Sequence, residues 1–326
     1  MTQPTTAPPA KSGFQMPSLS TLGPLIALLL ACIFFATQSD RFLTGNTLSL
    51  VLKQISYVAV LAIGQTLIIL TAGIDLSCGV IMALGSMVMT KLAVEQGVPA
   101  VLAILLGLAL TTVIGGLNGV LITRLRLPPF IATLGMYGIV FATTQIYSNA
   151  QTINNLPPAL NFLGNTFNVL GVPFTFGAVL MVLLFALAWF FLGSTATGRH
   201  VYALGNNPEA VRLSGIFTDR LLIGVYATAG LFYGIAALIL VGRVGAGDPN
   251  AGQTENLESI TAAVLGGTSL FGGRGNVLGT LLGAIIVGVF RVGLTLAGVN
   301  SVYQVLITGI LIILAVATDQ FSRRKS

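Results

Sequence analysis

Charge is what this sequence lacks most. Lys and Arg number 15 and Asp and Glu 9, so 7% of its 326 residues are charged, against about 25% in soluble domains. A water-facing globule needs several times as many charges for its surface alone, which excludes that class. Histidine occurs once, at His200, so zinc sites and histidine-based catalytic pairs are unavailable. Cysteine occurs twice, and Cys32 and Cys78 both sit in apolar surroundings without partners for a disulfide framework or a metal site, so both read as packing residues. There is no G-x-x-x-x-G-K-[ST] loop to cradle ATP. No acid, base and nucleophile are grouped as an enzyme would need, and neither catalysis nor a cofactor or metal is expected. The net charge of +6 is scattered rather than gathered on a polar domain, which argues against a nucleic-acid partner.

What the chain has instead is apolar length. Hydrophobic residues make up 55%, which excludes disorder, and about 20 of them suffice for one bilayer crossing. Apolar stretches predict helices near 22–38, 46–70, 77–94, 99–122, 131–149, 173–193, 221–241, 257–271, 276–297 and 301–318. The expectation is an all-α integral membrane protein of about ten transmembrane helices. The stretches 77–94 and 257–271 are short enough to be broken or partly buried helices. Residues 21–320 form one polytopic domain, whose 39 Gly suit close helix packing. Leu28 to Ala31 followed by Cys32 faintly resembles a lipoprotein cleavage site. However, Lys11 is the only positive charge before the apolar run and Leu30 stands where a small residue belongs, so a retained helix is expected. Residues 1–20 read as a disordered tail and 321–326 as a basic one.

Loops rich in Lys and Arg stay cytoplasmic. With ten spans, the side holding both termini receives Lys11, Arg124, Arg126, Arg199, Arg212, Arg220, Arg274, Arg323, Arg324 and Lys325. The other side receives Arg41, Lys53, Lys91, Arg243 and Arg291. Both termini are therefore expected in the cytoplasm. Outside, the uncharged stretch 150–172 would lie across a pore mouth, meet an external partner, or simply connect spans.

Inside, residues 194–220 are the longest polar segment between spans. Asn207 has the chemistry of an N-cap, Pro208 suits the first helical position and Glu209 favours the positive end of the helix dipole. Gly215 supplies a stop. Residues 208–214 then make about two turns, with Ala210, Val211 and Leu213 as apolar contacts, Arg212 as a charge and Ser214 at the end. So short a helix is marginal alone and needs docking, on the bundle or on a separate cytoplasmic protein. A chain without its own energy source would have to borrow power through such a contact.

Three stretches, 71–79 (TAGIDLSCG), 203–216 (ALGNNPEAVRLSGI) and 265–275 (LGGTSLFGGRG), resemble the membrane permeases of ribose-type ATP-binding-cassette sugar importers. The resemblance runs from about residue 45 to 318. It implies a permease dimer in the bacterial inner membrane, two cytoplasmic ATPase subunits that hydrolyse ATP, and a periplasmic sugar-binding protein. The helix from Pro208 to Ser214 would fit a groove in the ATPase and drive alternating access for a monosaccharide such as ribose or fructose. A permease of the same architecture for branched-chain amino acids or nucleosides, and a self-sufficient carrier or channel, remain the competing readings.

For the path, Gly73, Asp75 and Ser77 have two readings. Either Asp75 and Ser77 orient a helix break through hydrogen bonds to backbone amides and shape a gate, or they form an exposed turn in which Asp75 caps the next helix. Asn118, Gln145, Tyr147, Asn300, Tyr303 and Gln304 fall in or near spans and would present neutral hydrogen-bonding groups to a sugar, or bind neighbouring helices. Arg274, in the FGGRG turn, reads as a cytoplasmic anchor or a second ATPase contact. Arg291 is expected to snorkel to the interface.

Overall fold

The computed structural model describes residues 19–300, 302–307, 309–311, 313 and 317, with α1 side chains from Gly23 onward. Helices α1 (Leu19–Gln38), α2 (Gly45–Leu70), α3 (Cys78–Val94), α4 (Ala100–Arg124) and α5 (Pro129–Ser148) come first. A short α6 (Pro158–Asn161), a single 3-10 turn and a hairpin of β1 (Thr166–Val169) and β2 (Val172–Thr175) follow. Then come α7 (Phe176–Ser194), α8 (Ala196–Asn206), α9 (Pro208–Leu213), α10 (Thr218–Val244), α11 (Glu255–Leu265) and α12 (Val277–Leu296). Nine of the ten expected spans fall on these helices, and the tenth, 301–318, lies partly outside the described residues. The expected tails fall outside the described residues, save that Leu19 and Ser20 already belong to α1.

Six helices, α2, α4, α5, α7, α10 and α12, are long and apolar enough to cross a membrane. Shorter apolar helices lie at Gly23–Gln38, Cys78–Val94 and Val302–Leu311. The chain is built inside out. Helices α4, α5 and α7 expose large apolar side chains, Leu105, Ile139 and Phe190 among them, a surface that water would penalise and hydrocarbon would not. Polar groups face inward, where Thr66 Oγ1 and Thr280 Oγ1, 2.8 Å apart, join α2 to α12. Small residues let α4 and α10 touch along their backbones. A Cβ on Gly115 or Gly230 would collide with the facing carbonyl of Tyr226 or Thr111, the packing mode expected where lipid supplies no hydrophobic drive.

The hairpin gathers one end of the bundle. Ser49 near the start of α2 donates to Pro173 O, Lys91 near the end of α3 donates to Tyr147 O at the end of α5, and Ile153 pairs with Gly247 after α10. Helices α8 and α9 mark the opposite end, where Thr195 caps α8 through Gly198 N at 3.0 Å. The hairpin and α8 were not anticipated, because a four-residue strand and an eleven-residue helix carry little periodic signal. The span expected at 257–271 ends at Leu265, since Gly267 takes φ +88°.

Two non-helical segments run inside the bundle. One, 71–77, separates α2 from α3. The other, 245–254, descends beside α3, from Gly247 against Thr90 to Gly252 against Gly79. Backbone at membrane depth is tolerated only where protein satisfies it.

Candidate functional site

The three stretches that carry the resemblance meet at the α8 end. Helix α2 closes with paired bonds, Ala72 N to Ile69 O and Gly73 N to Ile68 O, the motif that ends a helix through one left-handed residue. That residue is Ala72 at φ +62°, where glycine would be at ease. The freed carbonyl of Leu70 accepts from Gly273 N of the FGGRG turn at 2.9 Å. Gly205 of α8 lies in the same junction. A Cβ there would collide with Leu70 O and come within 2.6 Å of Gly273 N.

Helix α9 follows at once. Asn207 Oδ1 accepts from Ala210 N at 3.0 Å, and Gly215 leaves the helix at φ +83°. Arg212 donates to both Glu209 oxygens, at 2.6 and 3.1 Å. These bonds, and then the guanidinium charge, hold the Glu209 carboxyl below its usual range. Ser214 Oγ donates back to Ala210 O. Of the apolar residues only Val211 is buried. Ala210 is exposed and Leu213 is 75% exposed, so one side chain seats α9 and its other face is open.

Beyond the junction the chain re-enters the core. Ser77, not Asp75, holds the N-cap position of α3, and Asp75 is fully buried rather than in an exposed turn. Its Oδ1 accepts from Ser77 N and Ser77 Oγ at 2.7 and 2.6 Å, and its Oδ2 faces Tyr233 OH at 3.1 Å. Side chains of the surrounding helices hold the rest of the break. Gln65 donates to Asp75 O, Asn118 to Ser77 Oγ and Asn256 to Leu76 O. Thr133 accepts from Leu76 N and donates to Ile74 O. Gly73 packs against Tyr226, whose hydroxyl a Cβ would approach to 2.7 Å.

The remaining path candidates are spread out. Gln145 donates to Pro249 O and Asn250 Oδ1 and so steadies the descending segment. Tyr147 lies beneath Lys91 Nζ, 5.0 Å from its ring centre. Asn300 caps the following turn through Val302 N, and Tyr303 is exposed. Gln304 donates to Thr295 Oγ1 and Val299 O. Arg274 O accepts from Ser269 N within its turn. Arg291 does not snorkel: its Nη1 donates to both Glu258 oxygens at 3.1 and 3.0 Å. Sequence reasoning passed over Gln65, Thr133, Tyr233, Asn256 and Glu258. A lone Gln inside an otherwise apolar span was the one signal available.

A family profile described as branched-chain amino acid transport system / permease component matches residues 47–316. Among curated proteins, the chain is 46% identical over 307 residues to the fructose import permease protein FrcC of Rhizobium meliloti, covering 92% of this chain and 85% of that protein. It is 41% identical over 299 residues to the ribose import permease protein RbsC of Escherichia coli K12, covering 90% and 92%. To RbsC of Bacillus subtilis it is 40% identical over 310 residues, covering 94% of each. No solved structure matches the chain.

Proposed function

Because the chain belongs to the branched-chain amino acid transport system / permease component family, we propose that it is the membrane subunit of an ATP-driven sugar importer. The observation that carries this reading is identity of 40–46% to fructose and ribose import permeases over nine-tenths of the chain. The family description also covers branched-chain amino acid systems, but the relatives named here import sugars.

The protein is a multi-pass subunit of the bacterial plasma membrane. It crosses ten times: the shorter apolar helices at 23–38, 78–94 and 302–311 add three crossings to the six long ones, and 245–254 with α11 completes the tenth. Both termini and the α8–α9 end face the cytoplasm. Two copies surround the path, a sugar-binding protein docks at the hairpin end, and ATPase subunits grip α9. ATP hydrolysis belongs to those subunits.

Coupling follows from the junction at Gly205. A pull or twist on α9 reaches α8, whose end touches both Leu70 and Gly273. Those residues border the break before α3 and the turn before α12. The two stretches therefore shift together, an alternating-access step of the kind packed interfaces support.

The test is uptake of labelled D-ribose and D-fructose into proteoliposomes holding the permease with its ATPase, supplied with the loaded binding protein. Uptake dependent on internal ATP supports the reading. ATP-independent uptake would point to a self-sufficient carrier, and transport of leucine in place of sugar would favour the amino acid permease. In pull-downs, Glu209→Lys and deletion of 206–215 should release the ATPase from a folded permease, and retained association would sink the docking role.

A further inference from the structure

Charged side chains inside a membrane bundle are costly and rarely idle. Glu258 and Arg291 form the one ion pair among the described residues that joins two different helices, α11 and α12. Arg291 is the fifteenth residue of α12, about 21 Å along its axis. Two long side chains held at that depth lose conformational freedom and hydration for a pair that buried apolar residues would replace at no loss. Mere stability is a poor account of them.

The pair forms the polar edge of a cavity of about 230 Å³ whose lining is otherwise mainly apolar, Leu257, Phe290, Leu294 and Val305 among it, with Thr254 and Gln304. That size lies just below the range for drug-sized ligands, about 300–1,000 Å³, and suits a smaller molecule. The chemistry is that of a polyol site. A guanidinium and a carboxylate present paired donors and paired acceptors, which match the neighbouring hydroxyls of a sugar. The aromatic Phe290 offers a surface to the C–H face of a sugar ring, and the Thr254 hydroxyl adds a group able to donate and accept. Arg291 reaches Glu258 through Nη1 and also interacts with Tyr57, so its fork is held in place at the edge of the cavity. Because the two charges cancel, the site favours a neutral solute over an ion.

We propose that Glu258 and Arg291, with Thr254 and Phe290, form a transient monosaccharide-binding site on the transport path. This rests on the sugar-importer reading and names where in the permease the sugar is touched.

The test uses the permease reconstituted with its ATPase and binding protein. Glu258→Gln alone leaves a half-buried guanidinium without its charged partner and would be expected to impair folding as well as transport. The deciding variant is therefore the exchange Glu258→Arg with Arg291→Glu, which keeps the pair and alters what each position offers a sugar. Expected are normal membrane abundance and a fall of about tenfold or more in ribose or fructose uptake, the scale of one lost hydrogen bond to a charged group. Full uptake by the exchanged protein would overturn the site. As a second readout, Thr254→Cys, in a chain with Cys32 and Cys78 replaced by Ala, should react with a small thiol reagent more slowly while sugar is delivered. Equal reaction rates would also overturn it. If the wild type moves neither sugar with ATP, the importer reading falls and the site with it. If the wild type transports and the exchange is silent, only the site falls.

Discussion

Replacing Gly205 with alanine adds one methyl group where the structure has no room for it. A Cβ at this position would overlap the Leu70 carbonyl oxygen and stand 2.6 Å from Gly273 N. Both neighbours are backbone, so no side chain can swing aside. To reach ordinary contact the end of α8 must withdraw by well over an ångström, a shift that a packed interior resists. The Gly273 N to Leu70 O bond, 2.9 Å long, sits in the same gap and would stretch or break. Overpacking costs about 1–3 kcal/mol and a lost hydrogen bond about 1 kcal/mol, so a penalty of about 2–4 kcal/mol is expected. The control is Gly224→Ala on α10, where a Cβ meets nothing within 4 Å and alanine favours the helix by about 1 kcal/mol. Thermal unfolding in detergent, membrane abundance, and ATP-driven uptake with ATPase activity in proteoliposomes give the readings. Gly205→Ala should melt earlier than wild type, and the protein that survives should hydrolyse ATP with little uptake. A variant with wild-type melting and wild-type uptake would refute the claim that this junction is tightly closed and transmits movement.

Thr133→Val should destabilise the fold by about 1–3 kcal/mol for each backbone group it strands, here Leu76 N and Ile74 O. Thr133→Ser should recover most of that in a thermal melt. Leu213→Asp should weaken ATPase capture in pull-downs while leaving unfolding temperature unchanged, because the side chain is 75% exposed. For Glu209 the folded carboxyl lies below its usual range, so its pairing with Arg212 is intact above the ordinary carboxylate range and is lost only as pH falls through the lower folded value. ATPase capture should therefore be flat through neutral and mildly acidic pH, and a decline centred near neutrality would contradict the assignment.

The long helices were legible because bilayer thickness demands uninterrupted apolar runs, and their ends fell within a few residues of the structure. Helix α9 was legible for a different reason. Asn207, Pro208, Glu209 and Gly215 each answer a local backbone requirement that needs no partner elsewhere in the chain. What sequence did not reveal is who meets whom. The exposed-turn reading of Asp75 failed because a short polar interruption between apolar runs looks the same whether water or other helices surround it. Its partners lie up to 158 residues away, at Tyr233. Arg291 was misjudged similarly, since Glu258 is 33 residues distant on another helix. The hairpin escaped because its turn uses Leu170 and Gly171 at φ +51° and +80°, where Asn-Gly would have announced it.

The position of Asn256 ties the junction to the cavity. Its side chain donates to Leu76 O in the break, and two residues later on α11 stands Glu258, bonded to Arg291. Gly79 and Gly252 abut at the same level, so closely that neither tolerates a Cβ. The two non-helical segments therefore form one contact, and the break cannot move against α11 without surrendering the bond to Leu76 O. An orphaned carbonyl is expensive at membrane depth, so shifting both segments together costs less than parting them. A displacement that begins at α9 and passes Gly205 to reach residues 71–77 is then expected to carry the start of α11 with it and change the separation of Glu258 from Arg291. A disulfide between Leu76→Cys and Asn256→Cys would test this linkage: if the segments travel as a unit, the cross-linked protein should still transport sugar, and if they separate during the cycle, it should bind ATPase and stall.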